Sequence, residues 1–126
     1  MKAYCFHDIS EGMLKYDHGE IEAILRELHK RYEQVVVIQF CTELIHQYTF
    51  ENRIEVPRGG WRPHQANYKI VLDYLGHRQY AFACIFTDKK GEDVLILEAP
   101  EVPIVTHVPS LMPPEPPKKI KPDHEF

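Results

Sequence analysis

The sequence predicts an α+β domain: one N-terminal helix packed on a mainly antiparallel sheet of about four to six strands, followed by a proline-rich extended C-terminal arm. Three observations support this class. Apolar residues recur at helical spacing within residues 18–33. Several short segments are β-branched or alternate in polarity. Eight of the ten prolines lie within residues 100–122, so we expect a compact domain over residues 1–99 and an arm over residues 100–126.

Length and composition exclude several classes of protein. A chain of 126 residues suits a single domain. Hydrophobic residues at 44% and charged residues at 27% are typical of a folded protein, not of a disordered chain, a coiled coil or a disulfide scaffold. A formal net charge of -4 argues against a broad basic surface that binds nucleic acid, and it is compatible with a local basic patch.

The cysteines and the hydropathy pattern predict the compartment. Cys5, Cys41 and Cys84 are odd in number, widely spaced and form no Cys-x-x-Cys pair, which indicates a reducing cytoplasm. All three have apolar or aromatic neighbours in the sequence, which indicates that the thiols are buried. The apolar run Val35–Ile38 is far shorter than the roughly 20 residues that a membrane helix needs. We therefore expect a cytoplasmic protein with no membrane association, and the scattered histidines predict no metal and no cofactor.

The first half of the chain contains the clearest elements. Residues 2–7 alternate weakly and predict a short strand. Asp17 is a good N-cap for a helix over residues 18–33, and that helix carries no Gly or Pro after its first turn. Residues 35–40 are β-branched and predict a buried strand. Residues 41–56 fit both a helix and a strand, with strand favoured in the second half.

The second half predicts a three-stranded meander over residues 67–98. Tyrosines and aliphatic residues alternate in residues 67–75, so we prefer a strand there to a helix capped by Gly76. Gly76 and His77 would then form a hairpin turn before a strand over residues 79–87, with a last strand at residues 94–97. The predicted core comprises Ile21, Leu25, Leu28, Val35, Val37, Ile70, Leu72, Phe82, Cys84, Val94 and Ile96.

A Gly-containing basic loop is the first candidate ligand site. The loop consists of Arg58, Gly59, Gly60, Trp61 and Arg62, and Arg78 is a further candidate. Glycines let backbone N–H groups approach an anion, guanidinium groups grip phosphate or carboxylate, and an indole stacks on a base. The alternative is a surface turn whose Trp61 packs back on the core.

The segment from His77 to Ala83 resembles the ribonucleoprotein motif of RNA-recognition domains, in which a basic residue leads into alternating aromatic residues. Gln79 stands where that motif has Gly, and Ile85 stands where it ends in an aromatic residue. An aromatic stripe with period two is also what a half-buried strand requires. We therefore favour a core role for Tyr80, Phe82 and Phe86.

The arm is the second candidate site. Its apolar residues are unusual for a solvated linker and predict docking on the domain itself or on a partner. They are Val102, Ile104, Val105, Val108, Leu111 and Met112. The run Pro113–Lys119 resembles a ligand of proline-binding domains.

These features predict a non-enzymatic protein-interaction module: a small accessory, inhibitor or assembly protein that binds a protein partner, or itself as a homo-oligomer, through its sheet surface and arm. One alternative is nucleic-acid or nucleotide-phosphate binding by the loop of Arg58 to Arg62. A second alternative is a small cytoplasmic enzyme with a His/Cys-based site. We assign no catalytic residue, because no nucleophile motif is present.

Overall fold

A computed structural model gives the fold, and it describes residues 2–50, 52, 54–56, 61–76, 78–88 and 104–109. Strand β1 (Lys2–Asp8) is followed by a short 3-10 helix (Glu11–Met13) and helix α1 (His18–His29). Strands β2 (Gln34–Phe40) and β3 (Leu44–Phe50) come next. The remaining elements are helix α2 (Lys69–Leu75), strand β4 (Phe82–Phe86) and strand β5 (Ile104–His107).

These strands form one mixed sheet in the order β3-β2-β1-β4-β5. Both helices and sheet are therefore present, and the five strands of the described residues fall within the predicted number. The expectation of a mainly antiparallel sheet is wrong: β1 runs parallel to β2 and β4, β4 runs parallel to β5, and antiparallel pairing joins β2 to β3. Parallel strands need a crossover connection, and α1 supplies it between β1 and β2.

Burial of the central strands explains why alternation of polar and apolar residues did not predict the parallel sheet. All residues of β1 except Lys2, and all residues of β2 except Gln34, are buried. A strand covered on both faces reads as a continuous apolar run, without the alternation of a half-exposed antiparallel strand. The run Val35–Ile38 is such a segment.

Helix α1 covers one face of the sheet. The Asp17 side chain caps it by accepting a hydrogen bond from the Gly19 backbone N–H at 2.9 Å. The helix begins at the predicted residue and ends at His29, four residues before the predicted end. Its buried stripe contains Ile21, Leu25 and Leu28, which pack on Val35 and Val37 of β2 in the first core cluster.

Helix α2 covers the opposite face, and it corrects the prediction of a strand over residues 67–75. The hairpin at Gly76 and His77 and the first strand of the meander are therefore wrong. The same sequence also fits helical spacing, because the buried residues Val71 and Leu75 lie four positions apart. They pack on Phe6 and Ile38 in the second core cluster, and contact with the sheet face decides between the two patterns.

The rest of the predicted core is mixed. Cys84 is buried, whereas Ile70, Leu72 and Phe82 are partly buried. Val94 and Ile96 lie outside the described residues, as does the predicted strand over residues 94–97.

Neither α1 nor α2 is long and apolar enough to cross a membrane.

Candidate functional site

The site lies at the carboxyl edge of the sheet, where β1 and β4 end side by side. From β1 the chain crosses through α1 to β2 on one side, whereas β4 and β5 extend the sheet on the other side. This reversal of strand order is a topological switch point, and it opens a crevice outside the carboxyl ends of the two strands. Asp8 is the last residue of β1, and Thr87 follows β4 directly.

A buried hydrogen-bond chain occupies this switch point. The Asp8 carboxylate is fully buried, and its Oδ1 accepts a hydrogen bond from the Ser10 backbone N–H at 2.8 Å. Its Oδ2 accepts a hydrogen bond from the Thr87 hydroxyl at 2.8 Å. The Tyr68 hydroxyl lies 2.6 Å from the Thr87 Oγ1. The chain therefore runs from the interior at Asp8, through Thr87, to Tyr68.

Tyr68 lines an open cavity of about 610 Å³, so the series of hydrogen bonds ends at the wall of this cavity. The cavity is lined by Ser10, Glu11, Gly12, Pro63, His64, Gln65, Ala66, Tyr68 and Asp88. Gly12 allows the Asp88 carboxylate to lie against the backbone, since a Cβ at position 12 would stand 2.5 Å from the Asp88 Oδ2. Carboxylates, hydroxyl groups and an imidazole therefore converge on a space large enough for a small molecule.

The electrostatics of the site follow from burial. Desolvation raises the pKa of Asp8 above its usual value, and the hydrogen bonds from Ser10 and Thr87 oppose that shift. Desolvation likewise raises the pKa of Tyr68 to about 12. The pKa of the Cys41 thiol is also raised, first by desolvation and then by the negative charge of Asp8. Tyr68 is therefore a neutral hydrogen-bonding group at physiological pH, and Cys41 is a thiol, not a thiolate.

The end of the predicted basic loop lies at this same edge. Arg62 donates its backbone N–H to the Ile9 carbonyl at 2.9 Å and accepts the Glu11 N–H at 2.9 Å, and its side chain is exposed. These bonds fix the backbone of Arg62 beside the turn that follows β1. Arg58, Gly59 and Gly60 lie outside the described residues.

Trp61 packs on the first core cluster, next to two buried histidines. Its ring centroid lies 4.9 Å from His18 and 6.2 Å from His7, both in edge-to-face arrangements. The His7 Nδ1 accepts a hydrogen bond from the Gln39 side chain at 3.3 Å, and the His18 Nδ1 donates to the Tyr16 carbonyl at 2.8 Å. The Trp61 side chain therefore has the packing role that the sequence offered as the alternative to ligand binding.

Arg78 lies at the opposite, amino edge of the sheet. Its guanidinium group stacks 3.6 Å from the centroid of the Tyr74 ring and donates to the Tyr74 carbonyl at 2.9 Å. Together with Lys2 it lines a different cavity, of about 720 Å³. Because seven residues of β1 span roughly 20 Å, the structure does not bring Arg78 together with Arg62.

The predicted arm residues differ in burial, and some lie outside the described residues. Ile104 is buried in β5 against the second core cluster, so this part of the arm packs on its own domain. Val105 is 48% exposed and Val108 is 40% exposed. Val102, Leu111 and Met112 lie outside the described residues. The division of the chain at residue 100 stays a prediction.

The cysteines are all buried and free. Cys5 and Cys84 are register partners on β1 and β4, and hydrogen bonding to Cys5, together with burial, raises the pKa of Cys84. Within the described ranges, no three His, Cys, Asp or Glu side chains are grouped so that they could hold a metal ion.

Sequence reasoning missed the residues at the centre of the site: Asp8, Tyr68, Thr87 and Asp88. A signal for them does exist in the sequence. Thr87 directly follows an apolar segment and Asp8 follows another after one histidine, and polar residues at the carboxyl ends of neighbouring parallel strands meet at one edge. That signal requires a parallel sheet, which the predicted meander did not provide. Comparisons of the chain with family models, curated proteins and solved structures found no match.

Proposed function

We propose that this protein binds a small nucleotide-like ligand in the carboxyl-edge cavity. The observation that supports this most strongly is the buried Asp8 carboxylate at the switch point, with its chain of hydrogen bonds to the cavity wall at Tyr68. In open sheets of this kind, ligands lie outside the carboxyl ends of the strands at the switch point. A volume of about 610 Å³ is within the usual range for small-molecule sites.

The lining indicates the chemistry of the ligand. The carboxylates of Glu11 and Asp88 accept hydrogen bonds, so they favour ligand groups that donate, such as hydroxyl or amino groups. Arg62 does not line the cavity, but its backbone is hydrogen-bonded to that of Glu11 and its side chain is exposed. A guanidinium group at the rim of the cavity would favour an anionic group on the ligand. A nucleoside monophosphate carries both kinds of group, with ribose hydroxyls for the carboxylates and a phosphate for Arg62.

Binding is tested by isothermal titration calorimetry with AMP, GMP and ribose 5-phosphate at low salt, with inorganic phosphate as the minimal anion. We expect Arg62→Ala and Asp88→Asn each to weaken binding by roughly three- to tenfold, the worth of one hydrogen bond or ion pair at a partly exposed site. Arg78→Ala is the matched control, because it removes an exposed arginine at the opposite edge of the sheet.

Two results would contradict this proposal. The first is the absence of measurable binding of all four compounds at millimolar concentration. The second is binding that Arg78→Ala abolishes and that Arg62→Ala and Asp88→Asn leave unchanged, since such binding would lie at the amino edge of the sheet.

A second candidate function is protein interaction through strand β5, which is an outermost strand of the sheet among the described residues. The observation that favours it is the exposure of Val105 and Val108, two β-branched residues at a sheet edge. Edge strands pair readily with an added strand, and apolar residues there strengthen such pairing. We expect Val105→Lys to abolish any oligomer or complex detected by native mass spectrometry, whereas Leu14→Lys, at another exposed apolar residue, should leave it intact. Assemblies unchanged by Val105→Lys would refute this candidate.

A further inference from the structure

We propose that protonation of Asp8 reverses the hydrogen-bonding polarity of the cavity wall at Tyr68. Three oxygen atoms form the path: Asp8 Oδ2 and Thr87 Oγ1 are 2.8 Å apart, and Thr87 Oγ1 and the Tyr68 hydroxyl are 2.6 Å apart. The reversal of hydrogen-bond direction needs only these three side chains and no bound ligand. Its consequence for ligand affinity rests on the proposed function.

With Asp8 ionised, the direction of every bond in the path is fixed. A carboxylate can only accept, so the single Thr87 hydroxyl hydrogen is donated to the Asp8 Oδ2. The Thr87 oxygen then accepts the hydrogen of Tyr68. Tyr68 has no hydrogen left for the cavity, and its oxygen presents lone pairs there. In this state the wall accepts hydrogen bonds from a ligand.

With Asp8 protonated on Oδ2, the same path runs in the opposite direction. The Asp8 hydroxyl donates to the Thr87 oxygen, and the Thr87 hydroxyl donates to the Tyr68 oxygen. The Tyr68 hydrogen is then free to be donated into the cavity. The change requires rotation of two hydroxyl groups and no movement of heavy atoms, so one buried proton converts an acceptor wall into a donor wall.

Because the path is buried, the protonation state of Asp8 controls the direction of its hydrogen bonds. Asp8 and Thr87 are fully buried, so water does not compete for their hydrogen bonds. The titratable groups that face Asp8 in the described residues are Asp88 after β4, Cys41 after β2 and Tyr68 before α2. Among the described residues, the positive charge of Arg62 also acts on Cys41. The negative charge of Asp88 favours the protonated form of Asp8.

The switch selects between ligand groups. A hydroxyl or amino group that donates to Tyr68 binds best when Asp8 is ionised, and binding such a group expels a proton from a protonated Asp8. A carbonyl or phosphoryl oxygen has the opposite preference and takes up a proton on binding. By linkage, each ligand class shifts the pKa of Asp8 as much as Asp8 shifts its affinity.

The first test needs no ligand. In protein labelled with carbon-13, the Asp8 Cγ and Tyr68 Cζ chemical shifts are followed by NMR across pH, with Tyr68→Phe to assign the tyrosine signal. We expect the Tyr68 signal to move with the midpoint of Asp8 in the wild type and in Thr49→Val, an exposed threonine on β3. In Thr87→Val, Asp8 should still titrate and Tyr68 should no longer follow it.

The wild-type titration by itself can overturn the proposal, even if Thr87→Val does not fold. A Tyr68 signal that stays constant through the Asp8 midpoint would refute the coupling. A Tyr68 signal that follows Asp8 equally in Thr87→Val would also refute it, because the effect would then not pass through the threonine. Thr87→Ser retains the hydroxyl and should retain the coupling.

The second test uses adenosine, which has no titrating phosphate. We expect its affinity to fall by roughly three- to tenfold as the pH drops through the Asp8 midpoint, the loss of one hydrogen bond, and to stay level in Thr87→Val. Affinity that changes equally in both proteins would contradict the switch. If adenosine does not bind, the carbon chemical shifts alone decide whether the switch exists, and the proposed ligand class is wrong only if the four compounds of the calorimetric test also fail to bind.

Discussion

Replacing His7 by Gln tests the energetics of the buried imidazole beside the site. The His7 side chain is fully buried, and its Nε2 has no hydrogen-bond partner among the described residues. Desolvation, followed by the proximity of His18, lowers the pKa of His7 to about 3. In the unfolded chain the same imidazole protonates near pH 6.5.

The magnitude follows from linkage between protonation and folding. Between pH 6.5 and about 3 the unfolded state binds a proton at this residue and the folded state does not. The free energy of unfolding is therefore fully retained above pH 6.5 and falls by about 1.4 kcal/mol for each pH unit below it. Over the whole interval the loss reaches about 5 kcal/mol, a large part of the total stability of a small domain.

The assay is urea unfolding followed by Trp61 fluorescence at several pH values between 4.5 and 7.5. The raised pKa of Asp8 acts in the opposite direction, since the folded state then binds a proton more tightly than the unfolded state. The comparison with a variant isolates His7. His7→Gln keeps an acceptor for Gln39 and does not titrate. His46→Gln, at an exposed histidine of β3, is the control.

We expect the wild type and His46→Gln to lose stability more steeply between pH 6 and pH 5 than His7→Gln does, by about 1.4 kcal/mol per pH unit. Equal slopes for the wild type and His7→Gln would refute the reasoning. They would mean that water or a polar partner reaches the imidazole and that burial does not control its protonation.

Three further outcomes are expected. Asp17→Ala should lower the free energy of unfolding by about 1 kcal/mol through loss of the α1 cap, measured by urea unfolding, whereas the exposed Asp73→Ala should change it little. Gly12→Ala should displace the Asp88 carboxylate and weaken AMP binding as much as Asp88→Ala does, measured by calorimetry; unchanged affinity would contradict this geometry. The three buried thiols should react with iodoacetamide at pH 7 far more slowly than in urea, as followed by mass spectrometry, and rapid labelling of Cys41 would favour the enzymatic alternative.

The sequence by itself determined those elements whose signals are local. Asp17, with its short side chain before an apolar stripe, marks the start of α1, and the cap bond to Gly19 is made within three residues. The run Val35–Ile38 identified a buried strand, and the apolar surroundings of the cysteines predicted their burial. Each of these inferences depends on neighbours along the chain.

The tertiary structure decided the rest, because those choices depend on contacts between distant residues. Residues 69–75 fit the period of a strand, which the sequence favoured, and also that of a helix, and packing of Val71 and Leu75 on the sheet face selects the helix. The parallel direction of β1 and β2 depends on how α1 crosses over the sheet between them, and amino-acid composition does not encode that crossover. Asp8 and Thr87 are 79 positions apart in sequence, and the parallel pairing of β1 with β4 makes them neighbours. The candidate site therefore exists as a site only in the folded chain.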